Sequence, residues 1–140
     1  MNASHVKPRQ VTRKVGSLLI LREGRTDPLD SEWDVTLGIL AEHRHEIDQI
    51  KVLVFTDGGG PTQAQRRRLE QTLNGKPIRV AVVSDSMKVR FICSSVALFT
   101  SNLSSFRVTE LRDAFAWLNL TPEERKLANE NIAAMRDLVQ

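Results

Sequence analysis

The stretch IKVLVF at residues 50–55 is a nearly continuous apolar run, and the glycine-rich segment TDGGGPT follows it at residues 56–62. Such a run is typical of a strand that is covered on both faces, as the strands of parallel sheets are. A second run, IRVAVV at residues 78–83, repeats the pattern and is followed closely by Asp85. The two runs therefore predict neighbouring strands of a mainly parallel sheet.

Helical patterns alternate with these strands. Trp33 and Leu37 begin a set of apolar residues at the spacing of one helical face, which predicts a first helix. Thr62 and Gln65 have the spacing of a capping box, which predicts a second helix over residues 62–74. The other predicted elements are an N-terminal hairpin at residues 11–21, a helix at 87–101, a short strand at 105–109, a helix at 111–118 and a final helix from residue 121.

This order of elements predicts one α/β domain: a sandwich with a mainly parallel β-sheet, an N-terminal hairpin and helices packed on the sheet. The chain of 140 residues has the commonest size of a single domain. We expect the domain to span residues 11–120 and to follow a flexible N-terminal arm at residues 1–10. Residues 121–140 are expected to form an extra helix that docks on the domain or on a dimer partner.

Composition narrows the class of protein. Hydrophobic residues make up 41% of the chain and charged residues 26%, which is typical of globular domains. The single cysteine, Cys93, has no partner for an intrachain disulfide, and the polar, basic start lacks the apolar segment of a signal peptide. We therefore expect a cytoplasmic protein without a membrane span. The net charge of +3 and the scarcity of aromatic residues indicate no nucleic-acid partner.

The stretch from residue 80 to residue 118 carries a resemblance to a known family. In it, AVVSD ends a strand, an apolar helix follows, and SFRVTELRDAFAWL closes the stretch. Together with the order of elements, this stretch resembles the STAS/SEC14-like domain family, which is similar to the sporulation anti-sigma-factor antagonist. The resemblance covers about residues 11–120 and rests mostly on core positions.

The resemblance implies a bacterial, non-enzymatic signalling module that works by protein–protein interaction and needs no cofactor. The implied partners are a second copy of this chain, as a homodimer, and a regulatory kinase or anti-sigma-like protein. STAS proteins are typically switched by phosphorylation of a serine or threonine where a loop meets a helix. Thr62 is the counterpart in this chain and is the candidate phosphorylation site.

The glycine-rich loop is the best candidate for chemistry. It follows a buried strand, where open α/β sheets usually bind ligands, and its backbone amides and the next helix N-terminus favour an anion. Arg66 lies one turn further on. The alternative interpretation is a plain turn between strand and helix. Asp57 and Asp85 both follow strands and could meet at one sheet edge, either for metal or acid–base chemistry or as caps.

Helix 87–101 has a wider apolar surface than one core face needs. Either the helix is deeply buried or part of it contacts a partner or an apolar ligand. The alternative function is therefore a carrier of a small, lipid-like ligand, with a pocket under Phe91, Phe99 and Phe115. An enzyme that acts on a phosphorylated substrate through Asp57 ranks last, because no nucleophile and base fall together. Cys93 is predicted to be a buried core thiol.

These interpretations define one set of candidate residues. No catalytic residue and no metal ligand is predicted. The predicted residues for binding a ligand or partner are Asp57, Gly58, Gly59, Gly60, Thr62, Arg66, Phe91 and Phe99.

Overall fold

The computed structural model describes residues 6–97 and 101–140. Within them, five strands form one sheet in the order β1-β2-β3-β4-β5. The first two strands form an antiparallel hairpin, and every later pair is parallel. The prediction of a mainly parallel sheet with an N-terminal hairpin is thus confirmed. The strands are β1 (Gln10–Val15), β2 (Leu18–Glu23), β3 (Lys51–Thr56), β4 (Arg79–Val83) and β5 (Leu103–Phe106).

In the described part of the chain, five α-helices cover the two faces of the sheet. The first three pack on one face and the last two on the other. All six residues of β2 are buried, as expected for a strand that is covered on both sides. The helices are α1 (Asp30–Glu42), α2 (Gln63–Leu73), α3 (Met87–Ala97), α4 (Leu111–Trp117) and α5 (Pro122–Met135).

The two faces have separate hydrophobic cores, because side chains alternate along each strand. Leu19 and Leu21 of β2 belong to the core under α1, α2 and α3. Leu18 and Ile20 belong to the core under α4 and α5. We call these the first face and the second face of the sheet.

Helices α2 and α5 begin with capping boxes, and the box of α2 is the one that the spacing of Thr62 and Gln65 predicts. The Thr62 hydroxyl accepts a hydrogen bond from the Gln65 N–H at 3.1 Å, and the Gln65 side chain accepts one from the Thr62 N–H at 2.9 Å. Thr121 and Glu124 make the same pair of bonds at the start of α5. Such boxes satisfy amides that the first helical turn leaves free.

The chain around β5 differs from its prediction. The strand ends at Phe106, and Val108–Glu110 form a short 3-10 helix in place of the end of the predicted strand 105–109. The Arg107 N–H donates to the Glu110 side chain at 2.7 Å, which turns the backbone out of the sheet. The described part of predicted helix 87–101 ends at Ala97, and residues 98–100 lie outside the described residues.

Both ends of the described chain meet beside the sheet. The helix α5 packs on the second face through Ala128 and Met135, which are fully buried. Beyond α5, the Gln140 N–H donates to the Pro8 carbonyl at 3.1 Å. The Arg9 N–H donates to the Glu32 carboxylate at 2.9 Å. No described helix combines the length and the apolarity that crossing a membrane requires.

Candidate functional site

A cavity of about 360 Å³ lies between the first face of the sheet and helices α1, α2 and α3. Apolar side chains form most of its wall, among them Leu21, Val54 and Val82 from the strands and Leu69 and Cys93 from the helices. Among the described residues, α2 packs mainly on α1, and α3 packs mainly on β5. The sheet between these two pairs is left partly uncovered, and this gap is the cavity.

The glycine-rich loop forms one side of the cavity, and its backbone amides are used within the protein. The Gly58 N–H donates to the Thr56 hydroxyl at 3.1 Å, and the Gly59 N–H donates to the Gly24 carbonyl at 2.9 Å. The Gly60 N–H donates to the Asp27 carboxylate at 3.3 Å. The loop therefore turns its amides toward protein acceptors, which is not the arrangement of an anion-binding nest.

The close approach of two loops requires a glycine at position 59. A Cβ atom at this position would lie 2.1 Å from the Thr26 carbonyl oxygen, which is closer than any real contact. The loop after β3 and the loop after β2 therefore touch through their backbones at Gly59. A Cβ at Gly60 would meet nothing within 4 Å.

Thr62 and Arg66 lie beside this loop and also line the cavity. The Thr62 hydroxyl is engaged as the cap of α2. The Arg66 guanidinium donates to the Pro61 carbonyl at 3.0 Å. Both side chains thus stabilise the junction between the loop and α2, at the edge of the cavity.

The two strand-end aspartates have different partners. Asp57 forms an ion pair with Arg22, with 2.8 Å between Oδ2 and Nη2. Asp85 accepts a hydrogen bond from the Val108 N–H at 3.1 Å. Across the described residues, no three His, Cys, Asp or Glu side chains come together as a metal site would require. The geometry assigns each aspartate to anchoring a loop.

The wide apolar surface of α3 is divided between the cavity and solvent. Val89 and Cys93 are buried, whereas Met87 and Phe91 are 83% and 74% exposed. Ile92 lies between the two groups, at 38% exposed. The helix is therefore neither wholly core nor wholly surface.

The pocket predicted under Phe91, Phe99 and Phe115 needs a correction. Phe115 is buried in the core of the second face, opposite the cavity, because α3 and α4 lie on different sides of the sheet. Phe91 points to solvent, and Phe99 lies outside the described residues. The cavity lies instead under Val89, Ile92 and Cys93 of α3.

Among the polar residues of the cavity that sequence reasoning missed, Glu23 is the one that is buried and ionisable. Glu23 ends β2 and is only 1% exposed, and its Oε2 has no hydrogen-bond partner among the described residues. Burial and the nearby charge of Asp27 raise the pKa of Glu23 to about 8. Burial and the charge of Glu23 raise the pKa of the Cys93 thiol to about 11. The alternation of Leu19, Leu21 and Glu23 along β2 was the signal that could have placed this carboxyl on the first face.

The sheet order and the two helical layers match a SpoIIAA-like fold. The chain is similar to the crystal structure of an uncharacterized protein from the DUF3478 family, with a SpoIIAA-like fold, from Shewanella loihica PV-4. The two chains share 18% sequence identity with a TM-score of 0.56, over 84% of this chain and 98% of that chain. The resemblance inferred from the sequence is thus confirmed for the fold. No protein-family model and no curated protein sequence matches this chain.

Proposed function

We propose that the protein is a non-enzymatic binding module that holds a small apolar molecule in the cavity on the first face of its sheet. The observation that carries the proposal is the cavity itself, with about 360 Å³ of space inside mainly apolar walls. Protein interiors are otherwise close-packed, and atoms around a void lose dispersion contacts. An occupant of matching shape would restore those contacts.

Two further features support binding without catalysis. The volume lies within the range of small-molecule sites, roughly 300–1,000 Å³. Two side chains of the kind that enzymes use, Cys93 and Asp57, are not in reactive states. The raised pKa of Cys93 keeps its thiol protonated at neutral pH, and Asp57 is committed to its ion pair with Arg22.

The proposal is tested by filling the cavity from its floor. Val82 of β4 faces the cavity, and its neighbour Val83 is fully buried in the core of the second face. We expect the wild-type protein to bind the uncharged fluorophore N-phenyl-1-naphthylamine, with enhanced emission. Val82→Phe should keep the fold and weaken this binding, because the phenyl ring takes up part of the cavity.

Val83→Phe is the matched control for stability. It places the same ring in a packed core, which should cost about 1–3 kcal/mol of the free energy of unfolding. Val82→Phe should cost much less, since free volume receives the ring. A wild-type protein that does not bind the fluorophore, or a folded Val82→Phe variant that binds it equally well, would contradict the proposal.

The exposed part of α3 favours a second role, as a regulatory interaction module. Met87 and Phe91 present apolar side chains to solvent on the helix whose other side lines the cavity. The partner that covers these side chains would be a second copy of this chain or a signalling protein. It would sense through α3 whether the cavity is occupied. Phosphorylation at Thr62 would act nearby, because it would place a phosphate at the N-terminus of α2, beside the cavity. Sedimentation velocity of the wild type against Phe91→Ser tests self-association: a dimer that the substitution leaves intact would contradict this face.

A further inference from the structure

Glu23 occupies an unusual position for a carboxyl group. It follows Leu19 and Leu21 in the alternation of β2, and all three residues line the cavity. The residue is 1% exposed, and Oε2 has no hydrogen-bond partner among the described residues. An unsatisfied buried acceptor costs about 1–3 kcal/mol, so its presence beside a cavity requires a physical reason.

Charged and titratable side chains from several elements line the cavity around Glu23. Asp27 lies on the loop after β2, and its charge raises the pKa of Glu23. Cys93 approaches from α3, since its own pKa responds to the charge of Glu23. Two cations also line the cavity: Arg66, which is bonded to the Pro61 carbonyl, and Lys88, which is exposed on α3. Burial and Asp27, not these cations, dominate at the carboxyl.

We infer that Glu23 is the polar anchor of the cavity, and that the occupant is a small apolar molecule with one protonated amine that donates to Oε2. This inference rests on the proposed function and deepens it by naming the class of ligand. A bound ammonium would satisfy the lone acceptor, and the negative charge of Asp27 would add to the attraction. A carboxylate ligand forms no ion pair with Glu23 and would be repelled by the negative charge of Asp27.

Binding of an amine should change the protonation state of Glu23, and this change can be measured. In the empty cavity, Glu23 is largely protonated at neutral pH. Binding of an ammonium favours the carboxylate, so the carboxyl proton leaves to solvent as the ion pair forms. The ligand keeps its own proton throughout. Up to one proton should therefore be released for each amine that is bound.

The experiment compares three probes with the same apolar chain: octylamine, octanol and octanoate. Calorimetric titrations of the wild-type protein at neutral pH should give octylamine about a tenfold lower Kd than octanol, the difference expected for one charge-assisted hydrogen bond. Octanoate should bind more weakly than octanol. Titrations in two buffers with different ionisation enthalpies should show proton release for octylamine alone.

The key variant is Glu23→Gln, which keeps the shape and removes the charge. It should bind octanol within about twofold of the wild type, lose the preference for octylamine and release no proton. Glu70→Gln, which removes one exposed carboxylate from α2, is the matched control and should keep the preference. If Glu23→Gln does not fold, Glu23→Leu provides the same comparison.

The outcomes separate the inference from the proposed function. If octanol binds but octylamine binds no more tightly, or if its advantage survives in Glu23→Gln, the anchor is wrong and the apolar cavity still stands. If none of the three probes binds the wild-type protein, the proposed function fails together with the anchor.

Discussion

Arg22 and Asp57 form an ion pair that ties the end of β2 to the loop after β3, with 2.8 Å between Nη2 and Oδ2. The same guanidinium donates to the carbonyl of Glu23 at 2.7 Å and to the carbonyl of Arg136 at 3.1 Å. Arg22 and Glu23 are neighbours in β2, and their side chains therefore lie on opposite faces of the sheet. Arg22 holds the loop and the C-terminal segment together, and Glu23 lines the cavity.

The ion pair predicts that Asp57 contributes to stability. Asp57→Asn should lower the free energy of unfolding by about 1–2 kcal/mol, because the buried guanidinium of Arg22 loses its ion pair and keeps at most a hydrogen bond to a neutral amide. The half-exposed carboxylate keeps the effect modest. Chemical denaturation measures it. Asp85→Asn, whose amide oxygen can still accept from Val108, is the control and should change little. Loss of fluorophore binding in a stable Asp57→Asn protein would place Asp57 in the site instead.

The buried carboxyl of Glu23 predicts a stability that falls as pH rises. Its pKa is about 8 in the folded protein against an ordinary 4.5. Below pH 4.5 both states hold the proton. Above it the unfolded state loses the proton while the folded state keeps it, so stability decreases until the pH passes the folded pKa. The total loss should be on the order of a few kcal/mol.

Denaturation of the wild type and of Glu23→Gln between about pH 5 and about pH 9 measures this slope. The variant should be nearly flat in that window. Two other shifted groups act outside it: Cys93, with a pKa of about 11, and Glu124, with a pKa of about 2. Burial opposes ionisation of Glu124, but hydrogen bonds from the Thr121 N–H, Lys51 and Ser17 outweigh that effect. An equal slope in both proteins would show that Glu23 ionises normally in the folded state.

The capping boxes at Thr62 and Thr121 predict similar losses of stability when either threonine is replaced by alanine. Thr62→Ala and Thr121→Ala should each lower the free energy of unfolding by about 1 kcal/mol, because each removes the acceptor for an amide of the first helical turn. Serine at either position should retain most of the stability. Thermal or chemical unfolding of the four variants checks this. A Thr62→Ala protein as stable as the wild type would mean that its hydroxyl is free for another role, such as phosphorylation.

The division of α3 between cavity and solvent predicts unequal effects of neighbouring substitutions. Phe91→Ser should change stability by no more than about 0.5 kcal/mol, because the ring is 74% exposed. Val89→Ser should cost about 1–2 kcal/mol, because it places a hydroxyl in the buried wall of the cavity. If Phe91→Ser unfolds the protein instead, the whole of α3 is core.

Replacing Gly59 or Gly60 by alanine should have different effects on stability. Gly59→Ala should cost about 1–3 kcal/mol or more, because the new methyl group meets the Thr26 backbone and forces the two loops apart. Gly60→Ala should be neutral or slightly stabilising, since its methyl group meets open space and the unfolded chain loses freedom. Equal stability of the two variants would show that the loops can separate at no cost.

The sequence predicted the fold well, because its signals are local. The apolar run at residues 50–55 and the Thr62–Gln65 box each act within one element and its neighbours. The cavity was beyond such reasoning, because it arises from the distance between α2 and α3, which no single segment specifies. Glu23 escaped notice for a similar reason: a strand-end glutamate is normally at the surface, and the burial of Glu23 depends on the helices and loops that enclose the first face.

The packing of α5 on the second face also has a consequence for synthesis of the chain. Ser17 bonds to Glu124 across 107 residues, and Arg22 bonds to Arg136 across 114. The second core, around Leu18 and Ile20, is completed only by Ala128 and Met135. A nascent chain would thus leave the second face of its sheet partly uncovered until residue 135 had emerged from the ribosome. Long-range closure of this kind slows folding and prolongs the exposure of apolar surface during synthesis.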